Sequence, residues 1–258
     1  MDNNGHGTHT MGTIAGGVAR GIGMSPGAKW IAGAGCNPQG SCPTVDLIES
    51  LQFGGCPTRT DGTDPDCTRA ADIVSNSWGG GRGSATFHDV ISVLDEEEII
   101  VVFSMGNSGP SCGSANSPGD FARVISVGAS DNADNIASFS SRGPGVGGDI
   151  FPIQQPFIDG PGVAVVSAFP GSDTQYASSS GTSMSCPHVA GYIAQLLGAY
   201  PDLTIEDVRR AMTTASFRDM QEATPCNDIP TTTYPNLVYG YGRIDTCAAL
   251  GVLGSSTC

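Results

Sequence analysis

Residues 180–191 read Ser180-Gly181-Thr182-Ser183-Met184-Ser185-Cys186-Pro187-His188-Val189-Ala190-Gly191. The run continues to Tyr200 and meets Pro201, so its pattern predicts a long helix over 183–200 stopped by the proline. Ser183 then sits at a helix N-terminus, where unpaired N–H groups and the helix dipole favour negative charge. A nucleophilic serine needs that location, a nearby base, and small neighbours that admit a substrate.

Working outward, the buried-type strand over 99–104 runs into Phe103-Ser104-Met105-Gly106-Asn107-Ser108-Gly109. An Asn at the carboxyl end of such a strand lies where open α/β sheets bind ligands, and its amide can donate to a developing oxyanion. Ser75-Asn76-Ser77-Trp78-Gly79-Gly80 ends a strand expected over 72–78. Its glycines leave an open edge against which an extended peptide can lie. Near the front, Asn4-Gly5-His6-Gly7-Thr8-His9-Thr10 holds a His between two glycines at a helix start. Further strands are expected over 28–34 and 123–129. Helices are expected from Thr44, over 84–98, and from a near capping box at Thr204 and Asp207. Residues 144–161 read as an irregular connection, and 162–169 as a hairpin arm. Strands alternating with helices mean an α/β fold with a mostly parallel sheet between helical layers, here one domain over 1–258.

Bulk composition narrows the function. The net charge of −14 argues against nucleic acid or an anionic membrane as partner. The longest apolar run, 99–103, is far shorter than the ~18 residues of a spanning helix, and no signal peptide is visible. Nine cysteines are present, without zinc spacing, and eight lie in loop-like text. Those eight read as disulfide partners in an oxidising compartment, and Cys186 as a buried free thiol. The Asp95-Glu96-Glu97-Glu98 run reads as a solvated helix end rather than a metal site.

These segments, with Phe139-Ser140-Ser141-Arg142-Gly143-Pro144 and Tyr239-Gly240-Tyr241-Gly242-Arg243-Ile244, resemble the subtilisin-like serine proteases, or subtilases. Gly181 to Gly191 matches that family's Ser box throughout. The likeness runs from about residue 3 to about Leu250, and Pro26 to Ala32 looks closer to the bacillopeptidase F-like branch. The resemblance implies a three-layer subtilisin-like fold and a secreted, monomeric endopeptidase acting on polypeptides. It implies His6 as general base, Ser183 as nucleophile, and Asn107 as oxyanion donor beside the Ser183 N–H. Ser77, Trp78 and Gly79 would form one cleft wall, Ser104, Met105 and Gly106 the other, and Asn116 the floor. With no acid at that floor, a medium or large apolar side chain is expected before the scissile bond. No cofactor is required; structural calcium is compatible with the family but not indicated by these residues.

The resemblance also shows a departure. Family triads run Asp, His, Ser, and only five residues precede His6, so the Asp box and its strand are expected to be missing from this chain. Asp2 is read as lying away from the imidazole, His9 as packing, His188 as a hydrogen-bonded core histidine, and His88 as surface. The alternative is a catalytically inactive fragment or pseudoenzyme that at most binds peptides. An ordinary α/β hydrolase is excluded, because its Gly-x-Ser-x-Gly elbow is not met at Ser183 and its His comes last. Expressed alone, the 258-residue chain is expected to be essentially inactive.

Overall fold

The computed structural model describes residues 2, 4–18, 20–37, 39–146 and 155–256. Residues 147–154 of the expected irregular connection, and Cys258, lie outside them.

Four strands form one sheet: β1 (Ile73–Asn76), β2 (Ile100–Ser104), β3 (Ile125–Ser130) and β4 (Ile158–Pro161). They lie side by side in chain order and all pair in parallel, with Val74 opposite Val101, Val102 opposite Ile125, and Val127 opposite Ile158. Parallel strands need both faces covered, and β2 shows how. Its Ile100 and Val102 pack with Val189, Ile193 and Leu196 of α4 (Thr182–Ala199). The intervening Val101 and Phe103 pack with Leu51 of α2 (Thr44–Gly55) and with Ile91 and Leu94 of α3 (His88–Glu96). The expected helix–sheet–helix layering is therefore present. α5 (Ile205–Ala215) opens on the Thr204–Asp207 capping box and packs with α6 (Thr246–Val252).

α1 (His6–Ala15) lies against α4 and against β5 (Val165–Ala168), which forms an antiparallel hairpin with β6 (Tyr176–Ser179). The close approach of α1 to α4 requires Gly191, where a Cβ would come within 2.5 Å of Met24 Cβ and 3.3 Å of the Ile14 carbonyl. Asp2 prepares the start of α1. Its Oδ1 accepts the Gly5 and Asn4 N–H groups, and its Oδ2 accepts the Thr8 N–H and hydroxyl. Burial would raise this carboxyl, but those hydrogen bonds outweigh it and hold it below the usual range.

Several sequence expectations need correction. Residues 28–34 form no strand, and 29–34 are exposed, with Trp30 at 57% and Ile31 at 49%. A strand is made by its neighbour's backbone, and no described residue supplies that ladder. β4 falls where an irregular stretch was read, because Gly160 and Pro161 are poor strand residues. Thr44 lies inside the first turn of α2 rather than capping it; the cap position is Pro43. The helix expected over 84–98 starts as a 3-10 turn (Ala85–Phe87) and becomes α3 only at His88. α6 was not anticipated.

The loop cysteines pair as Cys36–Cys42, Cys56–Cys67 and Cys112–Cys226, and Cys247 is also disulfide-bonded. Cys112–Cys226 closes 114 residues and ties the loop after β2 to the C-terminal loops, whereas Cys36–Cys42 closes 6. Loop-closure entropy makes the two differ: removing Cys112–Cys226 by paired Cys→Ser substitution should cost about 5 kcal/mol, against about 2 kcal/mol for Cys36–Cys42. Denaturant unfolding of the two double variants checks the order; an equal loss would show that loop length does not govern their contributions.

Candidate active site

The carboxyl ends of β1 and β2 meet the N-terminus of α4, and this junction is a cleft. Ser77, Trp78, Gly79, Ser104, Gly106, Asn107, Asn116 and Ser183 line it, together with Ser108 and Thr182. Met105, expected in a wall, is fully buried and gives the cleft no surface; its carbonyl instead accepts the Asn116 N–H at 3.0 Å. Gly106 adopts a φ of +103°, and a Cβ there would strike the Asn116 carboxamide at 2.7 Å, so wall and floor touch. Trp78 is fixed by edge-on contacts at 5.0 Å with Phe87 and with Phe103.

Asn107 is held by a residue that the sequence reading passed over. Its Oδ1 accepts the Thr182 N–H at 2.9 Å and the Thr182 hydroxyl at 3.0 Å. Thr182 Oγ1 in turn accepts the Gly106 N–H at 3.3 Å. With the carboxamide oxygen engaged, the amide nitrogen remains to donate, and Asn107 is exposed. The Ser183 N–H is one of the first-turn amides that α4 cannot satisfy internally. Thr182 stands immediately before Ser183 at a helix start, and that adjacency was the readable signal for it; Ser108 follows Asn107 and was equally adjacent.

Ser183 and Ser77 clasp each other. The Ser183 hydroxyl donates to the Ser77 carbonyl at 3.2 Å, and the Ser77 hydroxyl donates to the Ser183 carbonyl at 2.9 Å. The Ser183 hydroxyl is thus oriented by the residue that follows β1 rather than by an imidazole. His6 heads α1 after Gly5, whose φ of +88° and 2.5 Å approach to the Phe169 ring both demand glycine. The His6 side chain is open to solvent, and among the described residues it makes no hydrogen bond to Ser183 or to a carboxylate. Enough protein surrounds it that desolvation, with His9 adding to it and Asp2 opposing, lowers its pKa from the ordinary value. The shift favours the neutral imidazole over the charged one.

The other histidines have structural partners. His9 Nε2 lies 3.1 Å from the Val165 carbonyl and 3.2 Å from that of Ala177, tying α1 to the hairpin. His188 Nδ1 lies 2.8 Å from the Met184 carbonyl one turn back. His88 is exposed. Cys186 is buried beside Ser75 and the Asn76 carbonyl, and burial pushes its thiol up to about 11. In the acidic run, Asp95 pairs with Arg123 at 2.7 Å and Glu98 accepts the Ile205 N–H at the start of α5. Among the described residues no group of three or more His, Cys, Asp or Glu could hold a metal ion. None of their helices is long and apolar enough to cross a membrane.

The profile of the subtilase family matches residues 1–242. The chain is similar to bacillopeptidase F of Bacillus subtilis (strain 168), with 32% identity over 98% of this chain and 17% of that protein. Subtilisin DY of Bacillus licheniformis is 34% identical over 83% of this chain and 71% of its own length. Serine protease AprX of Bacillus subtilis (strain 168) is 36% identical over 82% of this chain and 52% of its own length. The chain therefore spans about a sixth of the first of these relatives and about half of the last.

Two expectations follow from the site's electrostatics. Proton NMR should show the His6 ring titrating below 6.5; a midpoint above that value would mean that attraction to acids, not desolvation, governs it. Cys186 should resist a thiol reagent in the folded chain and react on unfolding. Rapid modification of the native protein would contradict its burial.

Proposed function

This chain belongs to the subtilase family, and from that premise we propose that residues 1–258 form a catalytic domain that hydrolyses peptide bonds as a serine endopeptidase. Ser183 attacks the scissile carbonyl. His6 takes its proton and delivers it to the leaving amine. The Asn107 amide and the Ser183 N–H stabilise the tetrahedral oxyanion. The observation that carries this reading is the Thr182–Asn107 pair of hydrogen bonds. It sets an unspent amide donor beside the N-terminal amides of α4, at the mouth of the cleft holding Ser183.

Substrates are polypeptides. Among the described residues no acid lines the cleft, and Trp78, Gly79, Gly106 and Asn116 leave an uncharged slot, which supports a medium or large apolar residue before the scissile bond. The three disulfides among the described residues and the disulfide-bonded Cys247 support an oxidising location outside the cell, and the net charge of −14 disfavours nucleic acid and anionic membranes. The protein acts as a monomer without a required cofactor.

One specific observation favours a second reading, a cleft that binds peptides without turning them over. Nothing among the described residues accepts a hydrogen bond from the imidazole of His6, whereas a triad needs an acid to fix its tautomer and stabilise the imidazolium. On the first reading, by contrast, an acid from outside the described residues completes the site.

A fluorophosphonate probe, which labels only an activated serine, tests both readings on the 258-residue chain. Labelling is expected at Ser183 only, slowed by about four orders of magnitude for want of the acid, and slowed a further ~10² to 10³-fold in Asn107→Ala. Labelling that persists in Ser183→Ala would overturn the nucleophile. Fast labelling lost in Ser183→Ala would place the acid within this chain. In the active enzyme, cleavage confined to Arg or Lys sites would overturn the apolar slot.

A further inference from the structure

Asp159 lies in the middle of β4 with no exposed surface. Its neighbours Ile158 and Gly160 pack toward α4, so strand alternation turns the Asp159 side chain to the opposite face, beneath the loops that carry Tyr234, Tyr239 and Arg243. Its Oδ1 stands over Gly128, where a Cβ would come within 2.8 Å of it. The groups that could neutralise or satisfy the carboxyl are committed elsewhere. Arg243 gives its Nε to Asp134 at 2.7 Å. The Tyr239 hydroxyl accepts the Ile136 N–H at 2.9 Å and donates to the Gln221 carbonyl at 2.8 Å. The Ser130 hydroxyl is close enough to favour the ionised carboxyl but makes no hydrogen bond with it. What remains is a set of buried oxygens without protein hydrogen-bond partners among the described residues: both Asp159 carboxyl oxygens, Ser130 Oγ and Tyr234 Oη.

Buried oxygens in native proteins are overwhelmingly satisfied, and a buried carboxylate is paired or coordinates a metal. We propose that Asp159 and Ser130 form an internal site for a monovalent alkali cation. Oxygen donors without nitrogen or sulfur suit a hard cation. One carboxylate balances one positive charge. A calcium site commonly draws its charge from several acids, and the other acid facing this carboxyl, Asp134, is held by Arg243. This site lies on the far face of β4 from α4, apart from the cleft residues, so it acts on stability rather than on the chemistry.

A proton competes with the cation for the same oxygens. Burial pushes the Asp159 carboxyl up to about 8, with Ser130 and Arg243 opposing and Asp134 adding to the rise. Above that value the carboxylate is bare and cation binding is strongest; below it the acid is neutral and binding weakens. The charged and titratable groups facing it are Arg243, Asp134, Tyr234 and Tyr239.

The test is thermal unfolding of the 258-residue chain in lithium, sodium, potassium and rubidium chloride, against choline chloride at matched ionic strength. At about pH 9, at least one alkali salt should raise Tm by roughly 3 °C relative to choline, with a smaller rise at about pH 6. Asp159→Asn should abolish the difference, and Ser130→Ala should reduce it. An equal response to choline at both pH values, or an alkali-specific rise that survives Asp159→Asn, would overturn the site. Should Asp159→Asn fail to fold, anomalous scattering from crystals in rubidium chloride decides: a peak within bonding distance of the carboxyl is expected, and its absence would overturn the proposal.

Discussion

The burial of α4 against the sheet is the constraint on which the rest of the structure depends. One helix packs on all four parallel strands, and its Val189, Ile193 and Leu196 are fully buried there. Each such side chain contributes roughly 1.5 to 3 kcal/mol by leaving water. Because the strands are parallel, their carboxyl ends lie together, and the packing brings the N-terminus of α4 to that end. Ser183, Asn107 and Ser77 meet because a core-forming helix starts where two core-forming strands stop.

That junction is then tightened by short polar contacts. Thr182 spends its N–H and hydroxyl on Asn107, and Ser77 and Ser183 exchange hydroxyl-to-carbonyl hydrogen bonds. These bonds connect β1, β2 and α4 at their termini, where backbone groups are otherwise unpaired. The same bonds orient the groups that chemistry would use. The His6 side of the cleft is built differently: His6 sits on α1, placed by glycine contacts with α4 and by His9 with the hairpin. Its imidazole is open to solvent and, among the described residues, lacks the hydrogen bond to an acid that would fix its tautomer, which is why the serine side is preorganised and the histidine side is not.

The face of the sheet away from α4 is less uniformly apolar. Phe103 and Val101 fill it under α2 and α3, but β3 and β4 place Ser130 and Asp159 there beneath the C-terminal loops. The Cys112–Cys226 bridge fastens those loops to the segment after β2, on the same side as Arg142, whose guanidinium donates to the Thr224 carbonyl. A buried acid is tolerable there only where the carboxyl is either protonated or matched by charge.

Much of this was legible from local sequence. The Ser183 helix start, the strand leading to Asn107, the layered α/β class, the Thr204 capping box and the free, buried Cys186 all follow from periodicity, helix-end chemistry and residue type. Those signals are carried by neighbours in the chain, so a single sequence contains them. Tertiary structure alone decided the rest. Residues 28–34 have strand-like composition but pair with no strand among the described residues, whereas Ile158–Pro161 is poor strand text that β3 nonetheless pairs. Met105 left the cleft wall because the buried side of its backbone faces the core. Asp2 became a helix cap because the N–H groups of Asn4, Gly5 and Thr8 converge on it. Which polar atoms find partners, and which, like those of Asp159, do not, depends on groups far apart in the chain, and no local pattern encodes that.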